Sequence, residues 1–287
     1  MAEPVGIVGL GNMGGRISRR VRAAGYDVVG YDVDAARGGT AATASEVARA
    51  AEVVLLSLPD STVVEPVVRE LAEATRPGQI VVDLSTSSPA STVQLHALLA
   101  AREVEFLDAG ISGGAAGAET GTLTIMVGGS ADALDRVRPI LAAFSARVEH
   151  MGASGAGHTT KVLNNLLNGV THAATAEVMV AARKAGLDLH QFLDVLNSST
   201  ARSYATAERF PHIVDGDYLE GGLTVNLILK DLRLYLALVE QLEVRSLNAG
   251  GAVKSFELAA ELGYGDQISN RVVDAIGDVS GGVRIAD

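Results

Sequence analysis

The stretch Val5-Gly6-Ile7-Val8-Gly9-Leu10-Gly11-Asn12-Met13-Gly14 constrains this chain more than any other. An apolar run of the kind that forms a buried strand leads into glycines spaced G-x-G-x-x-G, and a helical pattern follows over residues 13–24. In such a loop Gly9 permits the tight turn and Gly11 lets the backbone approach a pyrophosphate. Gly14 lets helix and strand pack closely, with Asn12 and Met13 completing the turn. The start of the helix then turns free N–H groups and the positive end of its dipole toward phosphate. A second apolar run, residues 28–31, leads to Asp32, 18 residues after Gly14. There a carboxylate accepts hydrogen bonds from the hydroxyls of an adenosine ribose. The motif therefore predicts a dinucleotide-binding strand–helix–strand unit. Asp32 would repel a 2′-phosphate, which favours NAD over NADP. Arg37 reads either as a solvated loop arginine or as a group that turns toward such a phosphate.

The rest of the first half continues the alternation. Residues 5–8, 28–31, 53–58, 80–84, 104–107, 124–127 and 147–150 read as strands. Helical patterns occupy 13–24, 44–51, 61–74, 91–101 and 131–143 between them. Strands alternating with helices give a mainly parallel sheet covered on both faces. After about residue 155 the strands stop. Residues 158–185, 189–197, 227–242, 249–261 and 267–276 read as helices, and the tail 281–287 as loosely held. The expected fold is α/β: an N-terminal Rossmann-type doubly wound sheet over residues 1–155, then an all-α C-terminal domain over 156–287. A long helix opens the second domain.

Composition removes several classes of function. The chain of 287 residues has no Cys, which excludes disulfides, thiolate zinc sites, iron–sulfur clusters and a Cys nucleophile. A net charge of −11 argues against a nucleic-acid partner. No apolar run is long enough for a membrane span. Met1-Ala2-Glu3-Pro4 lacks the basic start of a signal peptide, so a cytoplasmic location is expected. His158 and His172, 14 residues apart, lack partners at metal-binding spacing, so no metal is expected. There is no G-x-S-x-G elbow for a serine hydrolase.

Three further stretches carry candidate chemistry. Ser57-Leu58-Pro59-Asp60 and Asp83-Leu84-Ser85-Thr86-Ser87-Ser88-Pro89 follow strands, where loops either line a ligand crevice or cap the next helix. Asp108-Ala109-Gly110-Ile111-Ser112-Gly113-Gly114 offers a hydroxyl and approachable N–H groups that suit a carboxylate; the alternative is a flexible loop. Lys161, Asn165, Asn168 and His172 recur at intervals of 4, 3 and 4, the last three within about 40° of Lys161 on a helix whose other residues are largely apolar. That stripe is either a solvent-facing strip or a site in which Lys161 moves a proton and Asn165 orients a substrate. A desolvated lysine suits proton exchange with an alcohol.

Taken in order, four motifs resemble those of the β-hydroxyacid dehydrogenase family, typified by 3-hydroxyisobutyrate dehydrogenase. They are Gly9 to Gly14; Asp108 to Gly114 continuing to Gly121-Thr122-Leu123; Gly155-Ala156-Gly157-His158-Thr159-Thr160-Lys161-Val162-Leu163-Asn164-Asn165; and Lys230-Asp231-Leu232. The match covers nearly the whole chain. The resemblance implies NAD-linked oxidation of a small 3-hydroxy acid, with NADP less favoured. Lys161 would be the general acid/base. Ser112, Gly113, Gly114 and Asn165 would hold the substrate carboxylate. Thr86 and the Leu58-Pro59 turn would flank the nicotinamide half. Lys230 would close over the cofactor, with Asp231 orienting it. The family also implies a homodimer or homotetramer.

The chain departs from the family pattern at Gly110, where Pro is frequent, and at Ala201, Leu223 and Asn226. These positions bear on which acid is used. Alternatives are an imine reductase, which commonly lacks the lysine, a tartronate semialdehyde reductase using NADPH or NADH, and a nucleotide-sensing module without turnover.

Overall fold

The computed structural model describes residues 4–286. The reading of Met1, Ala2 and Glu3 as no part of a signal peptide lies outside the described residues, as does Asp287 at the end of the tail. The chain divides into two units, 1–161 and 162–287. This division falls in the second turn of the long helix.

The first unit holds one sheet of seven strands: β1 Val5–Val8, β2 Val28–Tyr31, β3 Val53–Leu56, β4 Ile80–Asp83, β5 Glu105–Ser112, β6 Leu123–Gly128 and β7 Ser145–Gly152. Their order is β2-β1-β3-β4-β5-β6-β7. The first five run parallel, β6 is antiparallel to β5, and β7 runs parallel to β6. Strands β1, β3 and β4 are buried at every residue, as expected for parallel strands covered on both faces. Side chains alternate between two cores. Ile7, Leu55, Val82 and Leu107 join one, while Val8, Val54, Leu56, Val81 and Phe106 join the other.

The covering helices are α1 Gly14–Ala23, α2 Ala44–Ala50, α3 Ser61–Ala72, α4 Pro89–Ala100, α5 Gly114–Thr120 and α6 Ala131–Leu141. The strand order reverses between β1 and β3. In open α/β sheets ligands bind at the carboxyl ends of the strands at such a point.

Two elements differ from expectation. Strand β5 continues through Asp108-Ala109-Gly110 to Ser112, where the apolar pattern ended at Leu107. Its antiparallel register with β6, Asp108 against Gly128 and Ser112 against Thr124, supplies ladder bonds that propensity did not signal. The glycine-rich stretch after it forms α5 and not a loose loop.

The helix α7 spans Ala156–Lys184. The second unit continues with α8 Leu189–Asn197, α9 Phe210–Val214, α10 Val225–Gln241, α11 Ala249–Ala259 and α12 Val272–Val279. Its core gathers Met179, Phe210, Ile228, Leu232, Phe256 and Val272. The last helix begins later than the pattern over 267–276 suggested, after a tight turn at Ser269–Arg271. The tail corrects its reading as loosely held. Ile285 is buried, its carbonyl accepts from Arg183 Nη2 at 2.6 Å, and Arg284 pairs with Asp278. One apolar anchor and two guanidinium contacts hold a segment whose glycines suggested freedom.

Candidate active site

The glycine loop is closed where backbone must meet backbone and open where a ligand would lie. Gly9 has φ +91°, and a Cβ there would run into the carbonyl of Ser57. A Cβ on Gly14 would collide with the carbonyl of Gly9. At Gly11 the same space is met by a side chain: Arg37 Nη1 lies 2.5 Å from where the Cβ would stand. The Asp32 side chain is 6% exposed. Its Oδ2 accepts from the N–H of Leu10 at 2.7 Å and its Oδ1 from that of Asp34 at 2.9 Å. Asp32 thus ties the glycine loop to the end of β2. The cradle and carboxylate suit a dinucleotide, with Gly9 and Gly14 closing the turn, Gly11 facing its phosphates and Asp32 its ribose.

The next two loops are linked. The N–H of Leu58 donates to Ser85 Oγ at 3.0 Å, so the Leu58-Pro59 turn is tied to the loop that carries Thr86. Asp83, fully buried, accepts from the N–H of Ser85 at 2.9 Å and from Ser87 Oγ at 2.8 Å. Asp60 caps α3 through the N–H groups of Thr62 and Val63. Ser88 makes no side-chain cap on α4, so of the two loops the first has the capping role.

Lys161 is seated on β5. The start of α7 is held by Asp108, whose buried carboxylate accepts from the N–H groups of Gly155 and His158, both at 2.8 Å. A carboxylate at a helix N-terminus meets orphan donors and the positive end of the dipole. His158 is fully buried, with Nδ1 2.7 Å from Thr92 Oγ1 and Nε2 3.2 Å from the carbonyl of Asp83. It locks α7 to α4 and β4. Gly157 lies so close to β5 and β6 that a Cβ would strike the carbonyls of Asp108 and Met126. One turn further on, a Cβ at Gly110 would lie 2.5 Å from Cβ and 3.0 Å from Cγ of Lys161. Gly110 and Ser112 share a face of β5, because side chains alternate along a strand. The lysine and the hydroxyl therefore belong to one side of the sheet. Gly113 (φ +121°) and Gly114 (φ +62°) then turn the chain into α5 in backbone conformations that favour glycine.

In the second unit Asn165 is 3% exposed, and its Nδ2 donates to Asp231 Oδ2 at 2.5 Å. Lys230 Nζ lies 3.0 Å from the other oxygen of Asp231. Helices α7 and α10 thus bring three of the named residues together, beside a cavity of about 490 Å³ bordered by Asn226, Leu229, Lys230, Arg233 and Leu234.

The polar stripe of α7 does not act as one strip. Asn168 accepts from Arg209 Nη2 at 3.1 Å, and Asn270 takes that guanidinium's Nη1 at 2.9 Å. His172 is fully buried, edge-on to Phe210 and Phe256. Burial first, and then the charge of Arg209, hold its pKa well below the usual histidine range. Asn168 and His172 therefore belong to the interior of the helical unit. Conversely Leu163 and Leu167, two of the apolar residues of that helix, are 44% and 67% exposed. Sequence reasoning named Asp108 and His158 without giving either a role. Their bond joins residues 50 apart, which no local periodicity encodes.

The chain is similar to known proteins over nearly its whole length. Residues 4–152 match the family model described as the NAD-binding domain of 6-phosphogluconate dehydrogenase. Residues 155–276 match that described as NAD-binding of NADP-dependent 3-hydroxyisobutyrate dehydrogenase. The chain is 33% identical over 281 residues to 2-(hydroxymethyl)glutarate dehydrogenase of Eubacterium barkeri, covering 94% of this chain and 93% of that one. It is 32% identical over 283 residues to NAD-dependent L-serine dehydrogenase of Pseudomonas aeruginosa, covering 92% and 95%. Among solved structures, Mycobacterium tuberculosis 3-hydroxyisobutyrate dehydrogenase with L-serine superposes with a TM-score of 0.87 at 31% identity, covering 95% and 98%.

Proposed function

The chain belongs to the β-hydroxyacid dehydrogenase family, and on that premise we propose that it moves hydride between NAD and a small 3-hydroxy acid, with Lys161 exchanging the hydroxyl proton. The nicotinamide, when bound, supplies the hydride acceptor or donor. Every other part of the chemistry falls to side chains of the protein. The ammonium of Lys161 gives its proton to the carbonyl oxygen in reduction and takes it back from the alcohol in oxidation. Its charge also offsets negative charge developing on that oxygen.

Ser112 and the N–H groups of Gly113 and Gly114 receive the substrate carboxylate. Asn165, one helical turn beyond Lys161, orients the substrate with the amide that Asp231 fixes. Lys230, paired with Asp231, and the loops carrying Leu58, Pro59 and Thr86 hold the cofactor. The observation that carries this reading is the seat of Lys161 on Gly110, two residues before Ser112 on the same face of β5.

A substrate whose hydroxyl lies on the carbon β to its carboxylate is the class this reading names. The names of the relatives with 2-(hydroxymethyl)glutarate, 3-hydroxyisobutyrate and L-serine point to the same class. Asp32 supports NAD over NADP. A homodimer or homotetramer and a cytoplasmic location belong to the same reading.

The test is a set of initial rates with NAD and NADP against a panel of small 3-hydroxy acids, with Lys161→Ala beside the wild type. Loss of proton exchange should lower turnover by about 10²–10⁴-fold while dinucleotide affinity stays unchanged. Wild-type turnover in Lys161→Ala would sink the assignment.

A further inference from the structure

Arg209 carries a charge that the helical unit does not balance. It closes a single π-helical turn, Ala205–Arg209, a geometry that is rare and gathers at functional sites. The partly buried guanidinium reaches α7 and the turn before α12. There Nη2 donates to Asn168 Oδ1 at 3.1 Å and Nη1 to Asn270 Oδ1 at 2.9 Å. Both partners are neutral amides. The Nε is buried and meets no acceptor. Among the described residues Arg209 makes no ion pair, whereas Arg233, Arg271 and Arg284 of the same unit each face a carboxylate.

A charge taken out of water without a counter-ion is costly. Burial lowers the pKa of Arg209 from the ordinary arginine value, and its charge, after burial, lowers that of His172. A strut between two amide oxygens needs donors and not a charge, so the guanidinium points to an anion that arrives from outside. Two of its five N–H donors are engaged, and the rest can fork onto a carboxylate. Access lies past Tyr204, which is 63% exposed and whose ring stands 5.5 Å from the guanidinium carbon. A single exposed ring over a cation is a weak cover. Asn168 follows Asn165 on α7 by three residues, a rise of about 4.5 Å on the same side of the helix. An arm of the substrate that leaves Asn165 and runs one turn along α7 therefore ends at Arg209.

We propose that Arg209 receives a second carboxylate at the end of that arm, and that the preferred substrates are dicarboxylic 3-hydroxy acids. The inference rests on the dehydrogenase reading for the roles of Lys161, Ser112 and Asn165. Arg209 sets which acid is used and takes no part in the proton transfer.

The test compares 2-(hydroxymethyl)glutarate with 3-hydroxyisobutyrate. The two acids share the carboxylate and the hydroxyl β to it, and differ by a carboxyethyl arm in place of a methyl group. The wild type should favour the diacid in kcat/KM by about tenfold or more, the worth of a charge-assisted carboxylate contact. Arg209→Gln, which keeps an amide donor but no charge, should remove the preference through KM of the diacid. Arg209→Lys should keep part of it. Asn168→Asp should also remove it while leaving Arg209 in place, because a carboxylate of the same size then supplies the missing counter-charge from inside the protein. A purely structural role predicts otherwise: Arg209→Gln would harm both acids alike, and Asn168→Asp would keep the wild-type ratio.

A wild type that treats the two acids alike or favours the monoacid overturns the proposal, as does an unchanged ratio in Asn168→Asp. Turnover of neither acid would count against the dehydrogenase reading instead. Glutarate then serves as the probe, and the proposal stands only if glutarate raises the Tm of the wild type more than that of Asn168→Asp.

Discussion

Replacing Gly110 with alanine sets one methyl group against the stem of Lys161. The added carbon would lie 2.5 Å from Lys161 Cβ, 3.0 Å from Cγ and 3.4 Å from the carbonyl oxygen of Gly157. Carbon pairs rest at about 3.5–4.0 Å, so roughly 1 Å of separation must be recovered. Helix α7 resists the move, because Asp108 holds Gly155 and His158, and Gly157 is packed on two carbonyls. Lys161 Cβ moves only with its backbone, so this turn of α7 must shift against those contacts and carries the ammonium with it. Overpacking of this kind costs about 1–3 kcal/mol of stability. A displacement of about 1 Å at a catalytic group costs on the order of 10²-fold in rate.

The expected result for Gly110→Ala is a kcat lower by about two orders of magnitude with unchanged NADH affinity, measured with the acid that the wild type turns over. A double-mutant cycle sharpens the test. In a Lys161→Ala background the same substitution should add no further loss, because the group it displaces is gone. Full turnover in Gly110→Ala, or losses that simply add, would refute the idea that Gly110 seats the lysine.

Other expectations follow from neighbouring observations. Asp108→Ala leaves two N–H groups at the start of α7 without their charged acceptor, and thermal or urea unfolding should show a loss of about 2–5 kcal/mol. Asp231→Ala removes the acceptor of Asn165 and the partner of Lys230; KM for the acid and Kd for the dinucleotide should both rise, and unchanged values would exclude a positioning role.

His172 is held neutral in the folded chain, while the unfolded chain takes up a proton near the ordinary histidine value. The unfolded state therefore binds more protons below about pH 6.5, and stability falls as pH drops through that range. Unfolding of His172→Leu, compared with wild type from pH 7 to 5, should show a shallower fall, by on the order of 1 kcal/mol per pH unit. Parallel curves would show that this imidazole does not contribute.

The strands that read most clearly are those whose environment is simplest. Strands β1, β3 and β4 lie inside a parallel sheet, both faces are covered, and every residue is free to be apolar. The glycine loop was legible for a different reason. Backbone collisions at Gly9 and Gly14 leave no other residue type, so the spacing itself records the geometry. Strand β5 was legible only to Leu107. The stretch beyond carries a buried aspartate and a glycine that serve α7, and residues chosen for a neighbour do not follow strand preferences. The stripe on α7 misled in part because periodicity gives a direction around a helix and not what lies there. Asn165 meets a carboxylate, Asn168 a guanidinium and His172 two phenyl rings.

Sequence alone determined the architecture, the dinucleotide loop and the identity of Lys161 as the residue to watch, because each rests on local spacing or on four motifs kept in order. Tertiary structure decided what those residues touch. It placed Asp108 and His158 at the root of α7, set Lys161 on Gly110, buried His172 away from the chemistry and laid Arg37 across Gly11. These are contacts between side chains and backbone far apart in the chain, fixed by how the sheet and helices pack, and a one-dimensional pattern has no term for them.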